Sequence, residues 1–157
     1  MDDMVPTEDH YFMDLALAEA VSAANMGEVP VGAVVVHDGK VISRAHNRRE
    51  IDGDPTAHAE LIAMREAAVV LGDWRLEDCT VFVTLEPCAM CAGLMVNARV
   101  SRCVYATTDP RGGFLGTLDD LSSHPVLNHR FEVSAGVRAE EAADLLRTFF
   151  RNVRAKK

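Results

Sequence analysis

Segments with the hydrophobic spacing of a helix alternate along this chain with segments typical of a strand. Apolar residues recur every three or four positions from Thr7, the predicted N-cap, to about residue 26, and a nearly continuous β-branched run covers 29–36. The turn His37-Asp38-Gly39-Lys40 and the segment Val41-Ile42-Ser43 follow this run. This first part therefore predicts a helix followed by a β-hairpin.

The remainder of the chain continues the alternation. We predict helices at 55–71, at 88–98 with Pro87 in the first turn, and at 139–153, with strands at 80–84, at 100–106 and, as an edge, at 131–133. A length of 157 residues suits a single domain over 1–157. Helices alternating with strands predict a layered α/β fold on a mixed sheet, closed by a helix at about 139–157.

Composition excludes several classes of protein. Hydrophobic residues make up 48% and charged residues 25% of the chain, which excludes a disordered chain. The formal charge of −8 excludes a protein that coats nucleic acid nonspecifically, because such binding depends on many Lys and Arg side chains. The acidic N-terminus and the lack of a long apolar run predict a cytoplasmic protein that does not enter a membrane.

Two short motifs at predicted helix starts indicate a metal site. His58-Ala59-Glu60 begins one helix, and Pro87-Cys88-Ala89-Met90-Cys91 begins the next. Cysteines spaced i and i+3 can bind one ion, and a helix N-terminus favours the thiolates that metals require. His58 completes a set of three ligands if the two helix starts meet. Since such a set leaves one tetrahedral zinc position open, the sequence predicts a catalytic zinc site rather than a closed structural one.

Two questions about this site stay open at the level of the sequence. A closed site would need a fourth ligand, for which the candidates are Cys79, Cys103, His46 and His129. Glu60 can move protons beside the open metal position without binding the metal. On a regular helix, side chains two positions apart diverge by about 200°, so His58 and Glu60 converge only in an end-facing first turn.

The motifs H-x-E and P-C-x-x-C together form the signature of zinc-dependent nucleobase deaminases. Beyond them, the chain resembles the bacterial tRNA-specific adenosine deaminases of the cytidine and deoxycytidylate deaminase superfamily. The resemblance runs from about residue 7 to 154. It is carried by the segments VPVGA at 29–33, HNR at 46–48, DPTAHAE at 54–60, TLEPCAMCAG at 84–93 and NH at 128–129.

This resemblance implies a fold, an activity and residue roles. The implied fold is a three-layer α/β/α arrangement with about five strands, and the implied activity converts adenosine to inosine at the wobble position of a tRNA anticodon. The implied enzyme is a homodimer with one zinc ion per chain. His58, Cys88 and Cys91 match the zinc ligands and Glu60 the proton-shuttling glutamate, while Asn47 matches a residue that contacts the base and Asp109 one near the ribose.

Basic residues are concentrated in the predicted terminal helix. Arg147, Arg151 and Arg154 form one stripe, and apolar residues at 145, 146, 149, 150 and 153 form another that we expect to pack on the core. We expect the arginine stripe to contact the anticodon stem-loop of a tRNA, although basic residues at a helix C-terminus also complement the helix dipole.

Three alternatives accompany this interpretation. The segment 108–116, TDPRGGFLG, departs from the family pattern, and Asp109 before Pro110 also suits an ordinary turn. A deaminase of a free base or nucleoside, of the guanine or cytosine type, would use the same metal and glutamate. A catalytically silent RNA-binding subunit stabilised by zinc would keep the ligands but would have no need of Glu60.

Overall fold

The computed structural model describes residues 5–156 and contains the predicted alternation of helices and strands. In chain order, the elements are α1 (Thr7–Asn25), β1 (Gly32–His37), β2 (Lys40–His46), α2 (Arg49–Asp52), α3 (Ala59–Leu71), β3 (Cys79–Leu85), α4 (Ala89–Asn97), β4 (Arg102–Thr107), a 3₁₀ turn (Leu121–Ser123), β5 (Glu132–Ala135) and α5 (Ala139–Ala155).

The five strands form one mixed sheet in the order β2-β1-β3-β4-β5. β1 is antiparallel to both β2 and β3, whereas β3, β4 and β5 run parallel. The predicted hairpin is present, and its two turn residues, Asp38 and Gly39, have φ angles of 51° and 73°. Positive φ at both positions is what a two-residue turn between twisted strands requires. The predicted edge strand is also present as β5.

Helices cover both faces of the sheet and make three layers. Val34, Phe82 and Val104 point from the strands toward Met13 and Ala16 of α1, and α5 contributes to the same cluster. The alternate strand residues point to the opposite face, where α3 and α4 supply a second cluster of buried side chains. This division follows from the two-residue period of a strand and confirms the predicted α/β/α fold. No described helix is both long and apolar enough to cross a membrane.

Several helix starts differ from the prediction. Pro6, rather than Thr7, is the N-cap of α1, and α3 begins at Ala59 rather than at residue 55. Pro87 lies outside α4, since Cys88 is the N-cap of that helix. A proline just before an N-cap restricts the chain as well as a proline in the first turn, so the pattern alone does not distinguish these positions.

One edge of the sheet gathers the residues with chemical side chains. β2, β3 and β4 all end at this edge, and they are followed by Asn47, Glu86 and Asp109 respectively. The starts of α3 and α4 come to the same edge with His58 and Cys88. The carboxyl ends of parallel strands are the usual place for a ligand site in an open α/β sheet.

Candidate functional site

His58, Cys88 and Cys91 form the one possible metal cluster found among residues 5–156. Their ligand atoms all lie within 4.8 Å of one another. His58 Nδ1 is 3.6 Å from Cys88 Sγ and 3.7 Å from Cys91 Sγ. His58 and Cys88 are the N-caps of α3 and α4, and Cys91 lies in the first turn of α4. The two helix starts therefore meet, as the ligand hypothesis requires.

The spacing of these atoms fits a zinc ion. A tetrahedral zinc with Zn–N of about 2.0–2.1 Å and Zn–S of about 2.3 Å separates a nitrogen ligand from a sulfur ligand by about 3.6 Å. The two observed nitrogen-to-sulfur distances are 3.6 and 3.7 Å. The donor set of one imidazole and two thiols is also typical of zinc.

The two thiols differ in how easily they ionise. A hydrogen bond from Cys91 and a second from His58 lower the pKa of Cys88 to about 4. The pKa of Cys91 is raised, because its thiol donates to Cys88 and because it is buried. The hydrogen bond to Cys88 also raises the pKa of His58. A lowered pKa favours the thiolate of Cys88, which is the form in which cysteine binds a metal.

A fourth protein ligand is not present among the described residues. Cys79 and Cys103 are buried within the strands β3 and β4 and do not join the cluster. His46 Nδ1 is 2.9 Å from the carbonyl oxygen of Asn47, and His129 Nε2 is 2.7 Å from that of Val100. The cluster therefore has the open set of three ligands that suits catalysis.

Glu60 lies two residues after His58, and the two side chains line one cavity. Its side chain is buried, with 4% exposed, and burial raises the pKa of its carboxyl to about 7. His58 precedes the first helical residue and has extended backbone angles, so the divergence expected on a regular helix does not apply to this pair. The structure thus meets the condition under which the two side chains converge.

A cavity of about 240 Å³ opens over the cluster. It is smaller than the pocket of a drug-sized ligand, so its size suits a single base. The residues that line it include Val29, Asn47, His58, Glu60, Asp109 and Phe150.

Asn47 is held at the cavity wall by two hydrogen bonds to the backbone. Its Nδ2 donates to the carbonyl oxygen of Val29 at 3.3 Å, and its Oδ1 accepts from the N–H of Arg49 at 3.0 Å. An amide can make up to four hydrogen bonds, so one donor and one acceptor site remain for a ligand. This residue has the geometry to read the edge of a base.

Asp109 forms a turn and also lines the cavity. Its Oδ1 accepts from the N–H groups of Arg111 at 3.0 Å and Gly112 at 3.2 Å, which is the turn expected of Asp before proline. The same residue also lines the cavity over the metal cluster. The turn therefore holds Asp109 at the cavity, so its two positions in the structure are compatible with each other.

A second cavity, of about 630 Å³, adjoins the first one and is lined by arginines. Val29, Leu85, Asp109 and Phe150 line both cavities. Four cations line the second: Arg111, Arg147, Arg151 and Arg154. The stripe predicted on the terminal helix is thus brought to the mouth of the metal site, although Arg147 also pairs with Asp144 on its own helix. Lys157, the last residue of the helix predicted at about 139–157, lies outside the described residues.

The apolar stripe of α5 is only partly packed on the core. Phe150 is 43% exposed and Val153 37% exposed, so the expectation that the whole stripe packs inward is wrong. Phe150 is exposed because it lies over the site, where it lines both cavities. Sequence reasoning also missed Arg49 as a cavity residue and Glu86 as a buried acceptor; Glu86 stands inside the motif TLEPC, which was the only signal for it.

Comparison with known proteins gives consistent similarities. The model of the cytidine and deoxycytidylate deaminase zinc-binding region matches residues 6–107. The tRNA-specific adenosine deaminase of Bacillus subtilis is 48% identical over 151 residues, which cover 96% of this chain and 94% of that protein.

Two solved structures bear on the choice of substrate. One, from a study of A-to-I editing by tRNA:A34 deaminases at the wobble position of transfer RNA, has a TM-score of 0.84 and 44% identity, covering 87% of this chain and 99% of that one. A guanine deaminase from Bacillus subtilis has a TM-score of 0.63 and 31% identity, covering 94% and 95%. The chain is thus more similar to the first of these two structures, in fold and in sequence.

Proposed function

The chain belongs to the cytidine and deoxycytidylate deaminase zinc-binding family, and we propose that it converts adenosine to inosine at the wobble position of a tRNA anticodon. The observation that carries this proposal is the arginine-lined cavity beside the metal site. A deaminase of a free base needs room for one base only, whereas an RNA substrate needs cations that neutralise the phosphates next to it.

His58, Cys88 and Cys91 hold one zinc ion per chain in this proposal. When bound, zinc supplies the Lewis acidity that makes water a nucleophile at neutral pH. A base that enters the cavity over the cluster must first leave its stack, which costs least in an unpaired loop such as an anticodon.

Glu60 is the proton carrier of the reaction. Its carboxylate takes a proton from water as the oxygen adds to C6 of adenine, and it delivers a proton to ring N1. It then takes the second proton of the added oxygen and delivers a proton to the amino group, so that ammonia leaves and the C6 carbonyl of inosine remains. A pKa near 7 lets the same carboxyl both accept and donate protons at neutral pH.

The remaining residues bind and orient the nucleotide. Asn47 hydrogen-bonds the edge of the base through the donor and acceptor sites that its backbone contacts leave free. Asp109 meets the ribose at the cavity mouth. Arg147, Arg151 and Arg154 contact the phosphates of the anticodon loop from α5.

The proposal includes a homodimer and a cytoplasmic location. The resemblance to bacterial tRNA adenosine deaminases supports the dimer. The proposed tRNA substrate supports the cytoplasmic location.

Mapping inosine in a tRNA tests the site of action. The zinc-loaded enzyme is incubated with a transcript that carries adenosine at the wobble position, and inosine is located by reverse transcription, which reads it as guanosine. We expect conversion at the wobble position alone. A matched transcript with the adenosine moved one position along the loop should stay unconverted, and equal conversion of both would contradict the assignment of the wobble position.

Replacing Arg151 and Arg154 together by glutamine should weaken binding of the anticodon stem-loop and reduce its salt dependence. The logarithm of the binding constant falls linearly with the logarithm of the salt concentration. Loss of two phosphate contacts makes this negative slope shallower by about 1.4 to 1.8. The slope is measured by titration of labelled stem-loop at several salt concentrations.

Lys40 and Arg75 provide a matched control with the same change in charge. Lys40 begins β2, and Arg75 lies ahead of β3, so both are at the end of the sheet opposite the site. Replacing both by glutamine should leave the slope unchanged. Equal slopes in the two double variants would show that Arg151 and Arg154 make no specific phosphate contact.

A deaminase of a free base is the second candidate, since a guanine deaminase shares 31% identity over most of the chain. It would use the same cluster and Glu60. The silent RNA-binding subunit is less well supported, because Glu60 is buried beside the open ligand set, where a scaffold gains nothing from a carboxyl with a raised pKa.

A further inference from the structure

A second buried glutamate lies next to the metal ligands, and the proposed reaction does not use it. Glu86 is 2% exposed and stands between the end of β3 and the Pro87-Cys88 segment. A buried carboxylate is costly unless hydrogen-bond donors surround it. The donors around Glu86 therefore indicate what it does.

All four of these donors belong to one loop, residues 109–117. Glu86 Oε1 accepts from the N–H of Asp109 at 3.0 Å and from the hydroxyl of Thr117. Its Oε2 accepts from the N–H groups of Leu115 and Thr117, each at 3.1 Å. One carboxylate thus holds both ends of the 109–117 loop.

The loop is also packed directly against this carboxylate. A Cβ added to Gly113 would lie 2.3 Å from both Cδ and Oε1 of Glu86, which leaves no room for any side chain. The N–H of Phe114 donates to the carbonyl oxygen of Pro87 at 2.9 Å. The 109–117 loop, Glu86 and the segment before Cys88 therefore form one unit.

The first residue of the loop is Asp109, which lines both cavities. Its backbone N–H donates to Glu86, and its Oδ1 is engaged by the N–H groups of Arg111 and Gly112. Among residues 5–156, its Oδ2 has no hydrogen-bond donor within reach. Glu86 thus fixes the backbone from which Asp109 presents a carboxylate oxygen at the cavity mouth.

We propose that Glu86 is a positioning residue that holds the 109–117 loop, and through it Asp109, at the mouth of the metal cavity, so that it sets the affinity for the nucleotide that enters. The part concerning affinity rests on the proposed function, because the nucleotide belongs to the RNA substrate. The part concerning the loop does not.

The variant Glu86→Gln removes the charge and keeps the shape. Oε1 and Oε2 each accept from a backbone N–H. The amide nitrogen of glutamine cannot accept, so in either orientation of the amide it faces an N–H group and a hydrogen bond is lost. We expect KM for the anticodon stem-loop to rise about tenfold or more, the effect of losing one charge-assisted hydrogen bond. We expect kcat per bound zinc to stay within about threefold, with one zinc per chain. A merely structural role would lower the amount of folded enzyme and leave KM unchanged.

A double-mutant cycle with Asp109→Ala tests whether Glu86 acts through Asp109. If it does, Glu86→Gln has little further effect on KM once Asp109 is alanine, so the two effects do not multiply. Glu28 offers a matched control, since it is 1% exposed and accepts from the N–H groups of Glu50 and Ile51 of α2 instead of from the 109–117 loop. The effect of Glu28→Gln should multiply with that of Asp109→Ala. The proposal is overturned if the effects of Glu86→Gln and Asp109→Ala on KM multiply. It is also overturned if Glu28→Gln and Glu86→Gln are coupled to Asp109→Ala to the same extent.

Amide hydrogen exchange separates a failure of this proposal from a failure of the proposed function. In Glu86→Gln, exchange should quicken at residues 109–117 and stay unchanged in α3, whether or not the wild type acts on RNA. Unchanged exchange in the loop overturns the proposal. If Glu86→Gln does not fold, Thr117→Val removes one donor, and we expect a rise in KM of a few-fold that again vanishes beside Asp109→Ala; an unchanged KM overturns the proposal.

Discussion

Replacing Glu60 by alanine should abolish deamination while the zinc ion stays bound. General acid-base catalysis contributes about 10² to 10⁴ in rate, and we expect the upper end here because one carboxyl serves every proton transfer. Zinc should remain at one per chain, since Glu60 is not part of the ligand cluster. Stability should be kept or increased, because the variant no longer buries an ionisable group. Single-turnover rates and metal analysis on the same preparation measure both effects.

Glu66→Ala is the matched control for this variant. Glu66 lies on the same helix, α3, but it is exposed and its replacement removes the same side-chain atoms. Its activity should equal that of the wild type. Retained turnover in Glu60→Ala with zinc at one per chain would remove Glu60 from the reaction.

Replacing Cys88 by alanine should remove the zinc ion and the stability that the ion supplies. A ligand present at 100 times its dissociation constant stabilises the fold by about 2.7 kcal/mol. For a chain of this size, such a loss lowers the melting temperature by about 5 to 10 °C. A chelator should lower the melting temperature of the wild type by a similar amount and have no effect on the variant.

Cys103→Ala is the control for the loss of a buried thiol. Cys103 is buried in β4 and lies outside the metal cluster. Its replacement should lower the melting temperature modestly through lost packing and leave zinc at one per chain. Stoichiometric zinc in Cys88→Ala would refute the ligand set.

The alternation of helices and strands could be predicted from the sequence because both layers are specified by local periodicity. Along β1, β3 and β4, the side chains alternate between the two helical layers by the two-residue rule, whereas a register shift between β1 and β2 places neighbouring Ile42 and Ser43 on the α3 face. The grouping of His58, Cys88 and Cys91 could be predicted too, since they lie in two short motifs at helix starts. The exact helix starts could not, because the side chains at these positions leave several caps available.

Features stabilised by distant residues were not predictable from local patterns. Helix α2 has only four residues, and the donors at its start are satisfied by Glu28, more than 20 positions earlier. Glu86 finds its donors 23 to 31 positions later in the chain. A pattern within 10 or 20 residues carries no information about either contact.

The terminal helix α5 is predicted correctly as a helix, but the position of one of its apolar side chains is not. Its amphipathic pattern correctly predicts a helix. The same pattern assigns Phe150 to the core, because hydrophobic periodicity does not distinguish a core from the wall of a cavity. Phe150 instead lies over the metal site beside the arginines.

The most direct test of the proposed function compares an RNA with small molecules as substrates. Initial rates per bound zinc are measured for an anticodon stem-loop with adenosine at the wobble position, for free adenosine and for guanine. The arginine-lined cavity next to the metal site predicts turnover of the stem-loop and none of the two small molecules under the same conditions. Turnover of guanine or free adenosine, with no deamination of the stem-loop, would contradict the proposed function.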